Sequence, residues 1–310
     1  MAGCGDDSSS GDEQAPPPAR AQDFPKANGQ TLRGLLADLS GGPVLAPSGA
    51  DFRTGKQRFG FALFKRDRSQ ITDASVAVYV APAGGGPAKG PYPARYQSLD
   101  VRPQFQSRQT ATDPDAAKSI YSTEIPFDKP GRYDVLGIAR QGGKLVAATL
   151  PQAGIVVKDA AKDPIPAVGS TPPRIHTPTV ASVGGDVASI DTRLPPSSMH
   201  DEDFADVLGK KPVVLIFATP QLCQSRVCGP VVDLVEQEKA KGDDGDVAFI
   251  HMEVYNENRI DKGIRPQMVA FHLLSEPWLF TFNRSGKVAA RIEGAFSERE
   301  LAGAIAAAKR

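Results

Sequence analysis

The chain carries no excess of charge, few cysteines and no long apolar run, and each shortage excludes something. Lys plus Arg and Asp plus Glu both number 36, so no field of one sign exists to hold nucleic acid or an anionic membrane. No stretch approaches the ~20 apolar residues that span a bilayer. The most concentrated run, residues 213–218, is strand-sized. The hydrophobic fraction of 40% lies below the usual ~45–50%. Cysteine occurs three times, at Cys4, Cys223 and Cys228. What is abundant is glycine (30) and proline (27), above average usage and suited to turns and linkers. A length of 310 residues makes two domains the expectation.

Met-Ala-Gly precedes Cys4, and a Ser-, Asp- and Pro-rich stretch follows. This resembles the end of a bacterial lipoprotein signal, in which small residues precede the lipidated cysteine. The resemblance implies lipidation at Cys4 and an extracytoplasmic, membrane-anchored protein, although the charged and apolar parts of a signal peptide are missing. Residues 1–47 are expected to be a disordered tether, too polar at first to offset the entropy of ordering.

Short β-type runs follow at 58–64, 75–80, 119–125, 133–139 and 155–157, most of them flanked by Gly, Pro or Asp. Phe59, Phe61 and Phe64 crowd one run, and Val76, Val78 and Val80 alternate with Ala77 and Tyr79 in the next, as half-buried strands require. Such spacing predicts an antiparallel sandwich over 48–160, and the turn Lys129-Pro130-Gly131-Arg132-Tyr133 resembles one in immunoglobulin-like domains. No acid-base cluster occurs there, so the expected role is interaction or spacing. Five prolines between 164 and 179 mark 161–189 as a Pro-rich linker.

Order sharpens from 190 to 310. Residues 212–218 read as a strand covered on both faces, 229–241 as a helix, 246–254 as a second, parallel strand, and 260–274 as a further helix. Asn283-Arg284-Ser285-Gly286 joins two strands in a hairpin, and Ser297 with Glu300 opens the last helix with a capping-box spacing. Phe217 to Cys223, Ser275-Glu276-Pro277-Trp278 and the hairpin through Gly294 occur in an order similar to the thioredoxin fold. The resemblance implies an α/β thioredoxin-like carboxyl-terminal domain behind the immunoglobulin-like sandwich. It implies a cis Pro277 beside the cysteines, with Glu276 and Trp278 as substrate-binding neighbours, and thiol-disulfide exchange with protein thiols or disulfides. No cofactor is implied.

Four residues separate Cys223 from Cys228, where thioredoxins have two. Inside a regular helix such a pair would be about 8–9 Å apart, too far to bond, so Cys223 must lie in the loop. A helix beginning at Pro230 would place both sulfurs at its positive end, where a thiolate is stabilised, with Arg226 adding to the effect. Three readings of the pair stand side by side. It is a redox-active dithiol, or a structural disulfide within a non-catalytic binding module, or a copper site like that of Sco-type chaperones, with His251 or His272 as the third ligand. Trp278 and Tyr255 are expected in the core or lining a recognition surface. Glu253 is expected to be a solvated carboxylate or a proton shuttle.

Overall fold

The computed structural model describes residues 15–310. Its amino-terminal half is built from β1 (Ser40–Pro47), β2 (Phe52–Arg53), β3 (Gly55–Phe64), β4 (Gln70–Ile71), β5 (Ser75–Pro82), β6 (Lys89–Ser98), β7 (Ser119–Phe127), β8 (Gly131–Gln141), β9 (Lys144–Thr149) and β10 (Ile155–Lys158). The pairing order runs β8-β5-β6-β7-β3-β1-β9, and β9 pairs again with β8, closing seven strands into a barrel. This overturns the immunoglobulin-like sandwich. A sandwich keeps two sheets with free edges, whereas β9 here pairs parallel with β1 on one side and antiparallel with β8 on the other. The alternation seen in the sequence is real, since Phe59, Phe61, Leu63, Val76, Val78 and Val80 all lie in one buried cluster. Period-2 burial is common to sandwich and barrel, and only the pairing partners separate them.

The outer face of β5 is also buried. Ala77 and Tyr79 pack beside Phe24, Ala27 and Leu35, so residues 15–47 of the expected tether are part of the fold, and its residues 1–14 lie outside the described residues. The docked segment carries the short helix α1 (Leu32–Leu36), capped by the Thr31 hydroxyl, which accepts from Gly34 N, and a second short helix, α2 (Arg108–Thr112), lies between β6 and β7. A polar segment can order when its few apolar side chains dock on a face that already exists. β6 has no strand pattern in the sequence because it carries Pro91 and Pro93. Both lie where β6 pairs only with β5, before pairing with β7 begins at Arg95, so neither ring removes a ladder donor that β7 needs.

The carboxyl-terminal half comprises α3 (Phe204–Val207), β11 (Val213–Phe217), α4 (Cys228–Lys241), β12 (Ala248–Met252), α5 (Pro266–Ala270), β13 (Trp278–Phe282), β14 (Val288–Glu293) and α6 (Glu298–Lys309). Its strands form a four-stranded sheet in the order β12-β11-β13-β14, with β11 and β12 parallel and the other pairs antiparallel. The α/β thioredoxin-like expectation is overturned as well. Only 21% of the residues are helical, and the chain is a mostly β barrel with a second small sheet. Side chains of α4 and α6 cluster with Val214, Ile216 and Leu279 on one face of that sheet. The opposite face, with Val213, Leu215 and Phe217, is covered by Phe204 and Phe271 from around the short helices α3 and α5 and by Ile165. The helix expected over 260–274 shrinks to one turn, because Gly263 and Pro266 break it ahead and His272 turns at φ 58° behind.

Residues 161–189 are not a free spacer. Gly169 N donates to Val288 O and Val288 N to Ser170 O, and Arg291 donates to the carbonyls of Ile165 and Pro166. An extended stretch leaves backbone groups free, and here those of Gly169 and Ser170 pair with the edge strand β14. The barrel and the second sheet share a core: Leu99 and Ile120 of the barrel half cluster with Cys223, Cys228 and Val231. No described helix is long and apolar enough to cross a membrane.

Candidate functional site

β11 is apolar and fully buried because both of its neighbours and both of its faces are occupied. It delivers Ala218 and Thr219 to the head of the cysteine loop. Thr219 O accepts from the amides of Leu222 and Cys223, which turns the chain back. Its hydroxyl accepts from Val254 N at 3.0 Å, and its own amide donates to Glu276 Oε2 at 2.6 Å. Cys223 lies in the loop, as the spacing required, and Cys228 is the first residue of α4.

The two cysteines are joined by a disulfide with Cα atoms 5.9 Å apart, inside the range such a bond tolerates. Cys228 is fully buried and Cys223 is 8% exposed. The chain linking β6 to β7 crosses this region: Ala117 N donates to Arg226 O. A side-chain carbon at Gly229 would stand 2.8 Å from Thr110 Oγ1. Arg226 adopts φ 60° and pairs with Asp113 at 2.8 Å, so its charge is answered by the barrel and not directed at the sulfurs.

The residue brought to the cysteines is Glu276. A carboxylate oxygen and both sulfurs lie within 4.8 Å of one another. Burial pushes this carboxyl up from 4.5 to about 7, opposed by the Thr219 amide, reinforced by the negative charge of Glu253 and opposed again by His251. The Glu276–Pro277 bond is cis. Pro277 is buried and its carbonyl accepts from Gly294 N. Trp278 is core, 2% exposed, stacked on Phe280 and donating from Nε1 to Ser275 Oγ at 3.0 Å. Tyr255 is half-buried. Neither histidine named for copper reaches the sulfurs' carboxylate grouping: His272 is exposed on its turn, and His251 points its Nε2 at Ala218 O, 2.9 Å away. Glu253 is not solvated. It is 1% exposed, with Oε1 accepting from the amide and hydroxyl of Thr192 and Oε2 without a hydrogen-bond partner. Cys4 lies outside the described residues.

The chain matches no protein-family model and no curated protein. Its chemistry therefore rests on its own geometry.

A group missed in the sequence lies behind the loop. Asp191, His200 and His251 converge in the interior, each 2% exposed or less. Burial resists ionisation of Asp191, yet the charge of His251 and hydrogen bonds from both histidines hold it well below the usual carboxylate range. Burial depresses His200. At His251 burial is outweighed by the charge and hydrogen bond of Asp191, by Glu253 and by the Ala218 carbonyl, lifting it to about 9. The only sequence signal was an Asp and a His nine positions apart in a proline-containing stretch with no strand or helix period, too weak to read.

Glu276 sets a testable pH dependence. Below pH 4.5 it is protonated in the folded and unfolded chain and contributes nothing. As pH rises toward 7 the unfolded chain ionises first, so stability falls, by at most about 3 kcal/mol above pH 7. Glu276→Gln keeps an acceptor for Thr219 N. It is expected to stabilise the oxidised protein by about 1–3 kcal/mol at pH 8 and by almost nothing at pH 4.5. Urea unfolding at the two pH values checks this, and an equal change at both would show that the carboxyl is not held neutral by burial.

Proposed function

We propose that Cys223–Cys228 is a redox-active disulfide that exchanges with thiols or disulfides of partner proteins in an oxidising, extracytoplasmic compartment. The observation that carries this reading is the half-buried carboxyl of Glu276, raised to about 7 and within 4.8 Å of both sulfurs. A purely structural bond has no use for a proton donor beside it. Cys223, the residue of the pair with residual exposure, takes the attack of an incoming thiolate. The S–S bond breaks, a mixed disulfide forms at Cys223, and Cys228 leaves as thiolate. Glu276, protonated, gives its proton to that thiolate in a site where an unpaired anion is costly. A second substrate thiolate then attacks the mixed disulfide, releasing oxidised substrate and the Cys223 thiolate. Attachment through Cys4 follows from its Met-Ala-Gly context and the polar stretch after it.

The complete burial of Cys228 favours one rival, a bond that only braces the loop within a binding module. The reduction potential separates them, being above about −300 mV for a working disulfide and below it for a brace. Alkylation and mass spectrometry across a dithiol titration measure it. Cys223→Ser and Cys228→Ser are each expected to abolish turnover of a model disulfide. Wild-type turnover in both variants, or a potential below that threshold, would end the exchange reading.

A further inference from the structure

Asp191, His200, His251 and Ser197 stand around a common point. Asp191 Oδ2 is 2.9 Å from His200 Nε2 and 3.4 Å from His251 Nδ1. Ser197 Oγ is 3.4 Å from His200 Nε2 and 3.3 Å from His251 Nδ1. Tetrahedral zinc with bonds of about 2.0–2.1 Å sets its ligand atoms about 3.3–3.4 Å apart, the spacing of three of these four edges.

The hydrogen bonds outside the group fix which nitrogens face inward. His251 Nε2 lies 2.9 Å from Ala218 O, so Nε2 must carry a proton. In the neutral ring Nδ1 is then a lone pair aimed at a carboxylate oxygen 3.4 Å away. Two lone pairs facing each other in a buried site need a cation between them, either a proton or a metal ion. A proton on Nδ1 would satisfy that pair, but charge-assisted N–H···O bonds close to about 2.7–2.9 Å. The observed gap is wider and suits a larger cation. Two of the three residues have the outer contacts a metal site uses to orient its ligands: His251 donates to a backbone carbonyl, Asp191 Oδ1 accepts from Arg193 N at 2.8 Å, and Oδ2 accepts from Ser197 N at 2.7 Å, while His200 Nδ1 is buried without a partner.

We infer that Asp191, His200 and His251 form a buried zinc site, with the Ser197 hydroxyl at the fourth position. Two imidazoles select a borderline transition-metal ion over magnesium or calcium, and the absence of thiolate among the four disfavours copper(I). All four residues are at most 6% exposed, so the coordination is closed and the metal structural, tying the segment after residue 190 to β12 and to the head of the cysteine loop at Ala218. The inference is independent of the exchange chemistry, because none of its ligands is a cysteine.

The test uses the full chain with its disulfide oxidised. After EDTA dialysis, zinc chloride is added at equimolar ratio, excess is removed by desalting, and metal is measured by atomic emission. One zinc per chain is expected in the wild type and in the Cys223→Ser/Cys228→Ser double variant, with at least tenfold less zinc retained by His200→Ala and Asp191→Asn. Negligible zinc in the wild type, or undiminished retention in His200→Ala, overturns the site. Cobalt(II) added to the wild type needs no variant to fold. An intense four-coordinate visible band without sulfur-to-cobalt charge transfer supports the assignment, and sulfur charge transfer or a weak six-coordinate spectrum defeats it.

Discussion

Asp233→Ala is expected to destabilise the protein by about 3–5 kcal/mol, the loss that follows when one partner of a buried ion pair is removed and the other is left uncompensated. Asp233 lies on α4, with its side chain fully buried, and its Oδ1 accepts from Arg193 Nε at 2.8 Å. Oδ2 accepts from the amide of Ser107 at 3.0 Å and from its hydroxyl at 3.1 Å. Arg193 also donates from Nη1 to the Pro195 carbonyl at 2.7 Å and from Nη2 to the Phe105 carbonyl at 2.6 Å. Ser107 and Phe105 belong to the β6–β7 connection, so this carboxylate joins the barrel to the helix that begins at Cys228. Asp233→Asn, which keeps an acceptor, should cost less than the alanine. Urea unfolding at pH 7 measures both, and a loss below about 1 kcal/mol for Asp233→Ala would mean that Arg193 finds water and that the two halves are loosely joined.

Gly294→Ala is expected to cost roughly 3 kcal/mol or more. Gly294 has φ 76°, and a side-chain carbon there would stand 2.0 Å from the carbonyl oxygen of Ser48, at the end of β1. The left-handed conformation alone costs a non-glycine residue about 1–2 kcal/mol, and forcing a packed backbone aside adds about 1–3 kcal/mol. The amide of Gly294 also holds the Pro277 carbonyl, next to Glu276. Glu293 beside it accepts from the amides of Ala50 and Asp51. The strain therefore falls on the seam between the two halves and on the strand that positions the carboxyl near the sulfurs. Urea unfolding reports the stability loss. Hydrogen exchange should rise around 48–51 and 276–278, and unchanged protection there would show that the seam yields without effect on the site.

The particular elements explain what could be read early. Val213–Phe217 is apolar at every position because it is central, and Ser297 with Glu300 forms the capping box that its spacing announced. Cys223 and Cys228 bond because one of them is out of the helix. Glu276 was noticed only for its position before Pro277, and its nearness to the sulfurs depends on the turn after β11, which no spacing encodes. The charge of Arg226 is not directed at the sulfurs for the same reason, since its partner Asp113 is 113 residues away. Asp191 and His200 gave no readable signal because their meeting with His251 requires the lead-in segment to fold against β12.

Local physics, then, was determined by the sequence itself: alternation marks a half-buried strand, an unbroken apolar run a covered one, a Ser-x-x-Glu a helix start, and two thiols five positions apart a loop. Tertiary structure alone decided closure and company. Whether alternating strands make a sandwich or a barrel is settled by β9 finding both β1 and β8. Which carboxyl meets the disulfide, and which one draws Arg226 away from it, is settled by contacts 57 and 113 residues long, whose free energy depends on burial and pairing that no local pattern carries.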